Sequence, residues 1–421
     1  MAVKPGYTQT EVGIIPSDWQ LHSVGLMGEV VTGKALAVNA PGQQRPYLRT
    51  KNVFDGRIDI DDVLKMPMTD VQFKKFTLLS GDVLLNEGQS LELVGRCALY
   101  QDEYQEPCAM QNQLLRFRAH TGVSAAFASH LFRYCQQSGV FARVALQTTS
   151  IAHLGGKRFE QLILQWPPTG EEQRAIATAL SDVDALLARL DQLIAKKRDL
   201  KQAAMQHLLT GQTRLPGFCG RWEEKHLGSV ADVDSEQLGS DTRPDYEFRY
   251  ISLEDVDCGI LRRYTRHVFR SAPLRARRNL RRGDVLVATV RPNLMSHLWF
   301  NEMSTDWVCS TGFAVVRCRE HVSHPGYVFA QLFANDTVKQ IEALLTGSNY
   351  PAINSKDVRQ LEIPFPPFEE QAAIATVLSD MDAELVTLNA RRNKTRALKQ
   401  AMMQELLTGK TRLVPTGGTH A

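Results

Sequence analysis

Two long stretches of this chain carry apolar residues at alternating intervals of four and three positions. They span residues 171–209 and 369–407, and neither contains a proline or an internal glycine. This spacing places the apolar side chains along one stripe of a helix, as in a coiled coil. A helix of this length needs a partner for its stripe. We therefore predict that the two helices pack antiparallel along Ile176, Leu180, Val183, Leu187 and Leu190, with Ile374, Leu378, Met381, Leu385 and Leu388.

The two stretches belong to an internal repeat. Residues 171–215 and 369–413 align without a gap at an offset of 198 residues, and about two thirds of the aligned positions are identical. Each copy is preceded by a Gly-Asp-Val-Leu turn and by a strand-like run that ends in two prolines: 81–84 and 283–286, and 162–168 and 361–367. Solenoid repeats recur every ~20–50 residues, so this spacing indicates a duplicated unit instead. Its pseudo-two-fold symmetry suits a two-fold partner such as duplex DNA.

The segments between the repeated helices mix strand and helix patterns and share little sequence. Residues 81–98 have a strand pattern, whereas residues 124–137 and 325–345 have a helical one. We predict an α+β fold with two globular α/β-mixed domains, separated by two long helices that form an antiparallel coiled coil, and a pseudo-two-fold internal repeat. The predicted order is first domain, central helix, second domain, C-terminal helix and tail: 1–168, 169–210, 211–367, 368–410 and 411–421.

Composition excludes several classes of protein. The 49 basic and 46 acidic residues nearly cancel, so the net charge of +3 says little about partners. The seven cysteines form no CxxC pair, which favours reduced thiols over a disulfide framework or a metal site. No apolar run approaches the ~20 residues that a membrane helix needs, and the N-terminus lacks the apolar core of a signal peptide. We expect a cytoplasmic protein without a membrane partner.

Motifs of catalysis are incomplete in this chain. Residues 409–411 match only the end of a phosphate-binding P-loop, because Gln404 stands where its first glycine belongs. The paired prolines faintly resemble the target-amine motif of amino-methyltransferases. However, Trp166 and Phe365 replace its amide or carboxylate residue, and no tyrosine follows. We therefore predict no catalytic residue, no metal and no cofactor in this chain.

Arginine is concentrated in one segment of the second domain. Residues 262–282 contain nine arginines, interleaved with Tyr264, His267 and Phe269. A guanidinium group can donate two hydrogen bonds to a phosphate or to the edge of guanine. An ordinary exposed basic hairpin is the open alternative. We predict DNA binding by Arg262, Arg263, Arg266, Arg270, Arg275, Arg277 and Arg278.

Polar loops at corresponding places in the two halves are further candidates for DNA contact. Residues 147–150 align with 346–349, and residues 86–90 align with 288–293. Amide, hydroxyl and guanidinium groups read base edges in the major groove, although small polar loops are also common in proteins. The candidates are Gln89, Ser90, Gln147, Thr148 and Thr149 in the first domain, and Arg291, Asn293, Ser348 and Asn349 in the second.

Together these features resemble the specificity subunit (HsdS) of Type I restriction–modification systems. The resemblance rests on the paired segments PP…EEQ…IATxLSDxDA…LKQAxMQxLLTGxTRL at 167–215 and 366–413, and it covers essentially the whole chain. It implies a non-catalytic subunit whose two target recognition domains each read one half of a bipartite DNA target. It also implies that the two helices form a coiled coil that sets the length of the spacer between the half-sites.

The same resemblance implies the partners. They are double-stranded DNA, two modification (methyltransferase) subunits that carry S-adenosylmethionine and methylate adenine N6, and restriction (motor-nuclease) subunits that use ATP and Mg. Two other functions are the alternatives. A stand-alone DNA methyltransferase would need a cofactor loop, which this chain lacks. A coiled-coil adaptor that binds only proteins would leave the arginine-rich segment unexplained.

Overall fold

The chain folds into two units, and the first of them combines two separate parts of the sequence. The computed structural model describes residues 4–35, 37, 39–147, 150–347 and 351–413. The first unit combines residues 1–190 with residues 391–421, and the second is continuous from 191 to 390. The two long helices, Gly170–Leu209 and Phe368–Leu406, therefore each contribute to both units. The units divide within the helices rather than at their ends.

The first unit is built around an antiparallel four-stranded sheet. In order across the sheet, its strands are Cys97–Leu99, Asp82–Asn86, Leu114–Ala119 and Gly28–Thr32. A three-stranded sheet consists of Ala109–Met110, Gln43–Leu48 and Leu64–Met68. The remaining strands are Tyr7–Thr10, Gly13–Pro16, Gln20–Ser23, Val53–Phe54, Arg57–Ile58, Gly88–Gln89, Leu146–Gln147, Ala152–His153 and Ile163–Trp166. The shorter helices are Val24–Met27, Asp70–Phe76, Ala125–Gln137, Val140–Val144 and Gly156–Gln161.

The second unit repeats this topology. Its antiparallel four-stranded sheet has the corresponding order Leu298–Trp299, Val285–Ala288, Phe313–Cys318 and Ala231–Val233. A second four-stranded sheet consists of Thr265–Val268, Glu247–Ile251, Trp307–Ser310 and Ala276–Asn279. The other strands are Glu223–His226, Val256–Asp257, Ile260–Leu261 and Glu362–Phe365, and the shorter helices are Leu227–Val230, Pro325–Gln331, Asn335–Ala343 and Ser355–Gln360.

The mixed α+β content and the duplication are confirmed. The stretch 325–345, predicted to be helical, forms two helices, Pro325–Gln331 and Asn335–Ala343. Between them the backbone N–H groups of residues 332–334 donate to carbonyl groups three residues back, which tightens the turn and redirects the chain. In the first unit the helix predicted at 124–137 is present as Ala125–Gln137.

Each Gly-Asp-Val-Leu turn carries a buried aspartate that joins two strands. Asp82 accepts the backbone N–H of Leu79 and two hydrogen bonds from Arg118, both at 2.7 Å. In the second unit Asp284 accepts the backbone N–H of Arg281 and two hydrogen bonds from Arg317, at 2.9 and 2.8 Å. Both aspartates are almost fully buried. The repeated turn is thus a structural anchor, because a buried carboxylate needs such a paired donor.

A second pair of equivalent salt bridges connects the segment after each long helix to the first turn of the other long helix. In the first unit Arg412 donates two hydrogen bonds to Glu172 in the first turn of helix Gly170–Leu209. In the second unit Arg214 makes the same contact with Glu370. Both glutamates are at most 1% exposed. The first turn of each helix is therefore fixed by the segment that follows the other helix.

Within each unit the two helical segments run in opposite directions. In the first unit Ile176 and Leu180 share a buried cluster with the end of the other helix, at Met403 and Leu406. In the second unit the cluster around Ile374 and Leu378 contains Leu208 and Leu209. The ion pairs Asp184–Lys399 and Asp382–Lys201 occupy corresponding positions of the two copies.

The partners of Ile176 and Leu180 therefore differ from the predicted ones, Ile374 and Leu378. The reason is geometric, since the beginning of one antiparallel segment meets the end of the other. Among the other members of the predicted stripe, Leu190 is also buried, and five are half-buried, namely Val183, Leu187, Met381, Leu385 and Leu388.

Replacing Leu180 by alanine is expected to lower the free energy of unfolding by ~2–5 kcal/mol, because Leu180 is fully buried and its loss leaves a cavity. The matched variant Leu187→Ala removes a half-buried side chain and should cost clearly less. Urea denaturation of both variants measures the difference. Equal losses would show that Leu180 is not part of a close-packed contact.

Two buried histidines predict a loss of stability in acid. His130 lies 3.0 Å from the Ser181 hydroxyl, and burial, assisted by the nearby positive charge of Arg133, lowers its pKa to about 4. His297 accepts a hydrogen bond from the Ala288 N–H, and burial lowers its pKa to about 4 as well.

The pKa of a histidine in the unfolded chain is about 6.5. Between about pH 6.5 and 4 these histidines are therefore protonated in the unfolded chain but remain neutral in the folded protein. Stability should therefore fall over this window, by roughly 3 kcal/mol for a fully buried histidine. His130→Gln can keep a contact with Ser181 but cannot titrate. The slope of the unfolding free energy against pH should therefore decrease by the amount that corresponds to about one bound proton. An unchanged pH dependence would argue against this origin.

Candidate nucleic-acid interface

The arginine-rich segment forms both edges of one sheet. Strand Thr265–Val268 pairs with Glu247–Ile251, and strand Ala276–Asn279 pairs with Trp307–Ser310. The strands Glu247–Ile251 and Trp307–Ser310 are neighbours in the middle of the sheet. The two arginine-bearing strands therefore do not pair with each other as a hairpin, because two other strands lie between them. Pro273 lies in the connection between these edges and cannot donate to a strand ladder.

Several arginines of this segment are neutralised by acidic side chains. Arg262 lies 2.8 Å from Asp257 and Arg263 lies 2.7 Å from Asp255. Arg278 is 2.8 Å from Asp234, with only 14% of its side chain exposed. Such pairs stabilise the domain and leave less positive charge for a ligand. Arg278 is therefore less accessible than Arg262 and Arg263, whose side chains are 55% and 65% exposed.

Three arginines of the segment are available to a ligand. Arg266, Arg270 and Arg275 are exposed, and within the described ranges their side chains have no hydrogen bond or ion pair. Arg277 differs from them, because its guanidinium lies 5.0 Å from the centre of the Phe269 ring and donates to the carbonyl of Ala276. A surface with unpaired guanidinium groups at a sheet edge is suited to bind phosphates.

The structure brings the two polar loops of the first domain together. Gly88 and Gln89 pair with His153 and Ala152, and the other side of the same short strand pairs with Leu146 and Gln147. Gln89 and Gln147 thus flank Ala152 in one three-stranded ribbon, which we call the first ribbon (88–89, 152–153 and 146–147). Ser90 follows it and is exposed. Thr148 and Thr149 lie outside the described residues.

The second domain has a corresponding arrangement, which we call the second ribbon (290–291, 351–352 and 346). Ala352 bridges both Val290 and Thr346, and the backbone N–H of Arg291 donates to Pro351 at 2.8 Å. Arg291 has a left-handed backbone with φ of 49°, a conformation that costs a non-glycine residue about 1–3 kcal/mol and is concentrated at functional sites. Arg291 and Asn293 are exposed. Ser348 and Asn349 lie outside the described residues.

A comparison with known proteins assigns the family. The model of the Type I restriction modification DNA specificity domain matches residues 16–196 and again residues 220–396. The chain belongs to this family. Both matches contain one domain and part of a long helix, in agreement with the duplicated topology.

Two relatives from Methanocaldococcus jannaschii match over almost their full length. The putative type I restriction enzyme MjaX specificity subunit is 24% identical over 424 residues, which are 97% of either chain. The type I restriction enzyme MjaVIII specificity subunit is 21% identical over 428 residues, which are 95% of this chain and 94% of the relative.

Solved structures share the fold. The S subunit of a Type I restriction–modification system from M. genitalium is 15% identical and superimposes with a TM-score of 0.58, covering 96% of this chain and 98% of its own. A chain from work on complex assembly and conformational transition of the type I R-M system is 18% identical, with a TM-score of 0.55, and covers 94% of this chain and 99% of its own.

Sequence reasoning missed a further arginine of this specificity chain. Arg249 lies directly opposite Arg266 on the neighbouring strand, and its guanidinium is 5.3 Å from the centre of the Trp307 ring. With Tyr264 and Glu302 it lines an open cavity of about 530 Å³. Arg249 lies outside the arginine-rich segment. Only the pairing of strand Glu247–Ile251 with Thr265–Val268 reveals its position.

In the part of the chain that is described, every helix is too short or too polar to cross a membrane.

Proposed function

We propose that this chain is the DNA-recognition subunit of a type I restriction–modification complex, and that each domain reads one half of a bipartite target. The observation that carries this proposal is a duplicated topology with unlike surfaces. In the second domain Arg266, Arg270 and Arg275 are exposed and unpaired among the described residues. Two copies of one fold that differ at their surfaces suit two different half-sites, because positions that contact bases must differ where the bases differ.

The first domain supports the same interpretation by contrast. Four basic residues of its corresponding region have acidic partners: Arg45 with Asp70, Arg49 and Lys51 with Asp62, and Arg57 with Asp59. The hydrogen bond from Lys51 lowers the pKa of Asp62 below its ordinary value. The two domains therefore approach DNA with different distributions of charge, and phosphate contacts are expected to be unequal between the half-sites.

In this proposal the two long helices form an antiparallel coiled coil whose length sets the spacer between the half-sites. Support comes from the opposite directions of the helical segments within each unit, and from the repeated ion pairs Asp184–Lys399 and Asp382–Lys201. Neither helix is broken by proline or glycine. A rigid helical element is suited to hold a fixed distance.

The helices are also proposed to bind two modification subunits, one for each copy of the repeat. The repeated residues Asp182 and Asp380, and Gln202 and Gln400, are exposed. So are the corresponding leucines Leu200 and Leu398, at 46% and 55%. Each unit presents one aspartate, one glutamine and one leucine of these pairs. We therefore infer two equivalent sites for two identical partners. Methylation with S-adenosylmethionine and ATP- and Mg-dependent restriction are assigned to the modification and restriction subunits, and no catalytic role is assigned to this chain.

A domain exchange tests the proposed division of labour. Residues 220–350 are replaced by the corresponding domain of a relative, and the preferred DNA target is selected from a randomised pool. We expect one half-site to change while the other half-site and the spacer stay the same. The matched control exchanges the first domain and should change the opposite half-site. Changes in both half-sites after a single exchange would contradict separate recognition.

Lengthening both helices tests their proposed role in setting the spacer. Four residues inserted after residue 194 and four after residue 392 add about one helical turn, or ~5.4 Å. With ~3.4 Å of rise per base pair, we expect the spacer to lengthen by one or two pairs. One-residue insertions rotate the helix by ~100° and should impair binding more. An unchanged spacer in the lengthened protein would contradict the proposal.

A further inference from the structure

The first and second ribbons correspond residue by residue. Gly88 pairs with His153 as Val290 pairs with Ala352. Beside them, the N–H of Leu154 donates to the carbonyl of Glu87 at 2.9 Å, and the N–H of Ile353 donates to the carbonyl of Thr289 at the same distance. The next residue on each ribbon is Gln89 in the first domain and Arg291 in the second. These two side chains therefore occupy the same position of the duplicated fold.

The residues around this position also differ in chemistry between the domains. In the first domain the loop after Gln89 continues to Leu91, whose side chain is 40% exposed. The corresponding residue of the second domain is Asn293, which is exposed and polar. Two residues beyond the amide of Gln89 the loop thus carries an exposed apolar side chain, whereas two residues beyond the guanidinium of Arg291 it carries a polar one.

Both positions are held by a fixed local structure. In the first domain Glu87 accepts the N–H of Gly155 at 3.2 Å and lies 3.0 Å from Nδ1 of His153. In the second domain the hydroxyl of Thr289 donates to the carbonyl of Gly312 at 2.7 Å, just before the strained backbone of Arg291. A side chain that discriminates between bases must be held in place by such supporting bonds.

We propose that Gln89 and Arg291 are equivalent base-reading residues, and that Gln89 selects adenine in one half-site while Arg291 selects guanine in the other. The inference rests on the proposed function. The amide of glutamine can make two hydrogen bonds to adenine, and arginine can make two to O6 and N7 of guanine. The apolar side chain of Leu91 suits the methyl group of thymine, whereas that of Asn293 does not.

Reciprocal substitutions in the full chain test this inference. Arg291→Gln is expected to change the preference at one base pair of one half-site from G·C to A·T. Gln89→Arg should make the opposite change at one base pair of the other half-site. A well-formed pair of hydrogen bonds discriminates by roughly 5- to 150-fold, and selection from a randomised pool with sequencing resolves a change of that size. Circular dichroism and thermal unfolding of each variant establish that it is folded.

Two further variants separate base reading from simple attraction to phosphate. Arg291→Lys keeps the positive charge but loses the planar guanidinium group that can donate two hydrogen bonds to one base. The preference for guanine should therefore weaken, while the salt dependence of binding stays unchanged. Arg221→Gln is the matched control, since Arg221 is exposed and lies outside both the ribbons and the arginine-rich segment. It should leave every base preference unchanged.

The outcomes distinguish this inference from the proposed function. If the unaltered chain selects no sequence at all, the proposed function fails. If it selects a bipartite target and both folded ribbon variants select the same one, the ribbons do not read bases and the inference is overturned. A uniform loss of affinity in Arg291→Gln, without a change of preference, would also overturn it, because that result identifies a phosphate contact.

Discussion

Replacing Arg266, Arg270 and Arg275 together by alanine is expected to remove much of the salt-dependent DNA affinity without unfolding the protein. All three side chains are exposed and lack ion-pair partners among the described residues, so no internal bond is lost. Each phosphate contact contributes ~0.9 to the slope of log affinity against log salt concentration. If all three contact phosphates, the slope should fall by about 3. The loss of affinity between 50 and 200 mM salt should then be smaller by roughly 40-fold.

The control for this prediction is charge-neutral. Arg262 and Asp257 form an exposed ion pair at 2.8 Å, and replacing both, by Gln and Asn, removes one arginine without changing the net charge. We expect this double variant to keep the salt slope of the unaltered protein. A triple variant that binds DNA with an unchanged affinity and slope would exclude this edge of the sheet from the interface.

Replacing Arg412 by leucine is expected to lower the free energy of unfolding by roughly 3–5 kcal/mol. The substitution leaves the carboxylate of Glu172, only 1% exposed, without its charged partner. An uncompensated buried charge costs far more than the loss of a surface ion pair, because neither water nor another donor replaces the missing bonds. Chemical denaturation measures the loss.

Two further variants identify the cause. Lys410→Leu removes an exposed charge two residues away and should have little effect on stability. Glu172→Gln, combined with Arg412→Leu, removes the buried charge and should restore a substantial part of the loss. If Arg412→Leu is no worse than Lys410→Leu, the contact between Arg412 and Glu172 does not stabilise the first unit.

The helices and the duplication could be predicted from the sequence because their signals are local or repeated. The apolar stripe from Ile176 to Leu190 follows the helical period, and the constant offset of 198 residues reveals the second copy. Which residues face Ile176 could not be predicted by matching the two stripes. Met403 and Leu406 lie at the far end of the other copy, and their proximity depends on the direction of packing.

The candidate interface was only partly predictable for a related reason. The sequence reveals the concentration of arginine at 262–282 but not which arginines are neutralised. The acidic partners of Arg278 and Arg281, Asp234 and Glu236, come from another part of the chain. The equivalence of Gln89 and Arg291 was hidden as well, because their offset of 202 residues differs from the 198 of the helices. It is established only by long-range strand pairing.

The discontinuity of the first unit has a consequence for synthesis on the ribosome. The second unit is continuous from residue 191 to 390, so all of its residues exist before the final segment of the chain is made. The first unit must wait for Met403, Leu406 and Arg412, which complete its core and neutralise Glu172. Because domains fold as units during synthesis, the domain that is translated first is the last to be completed.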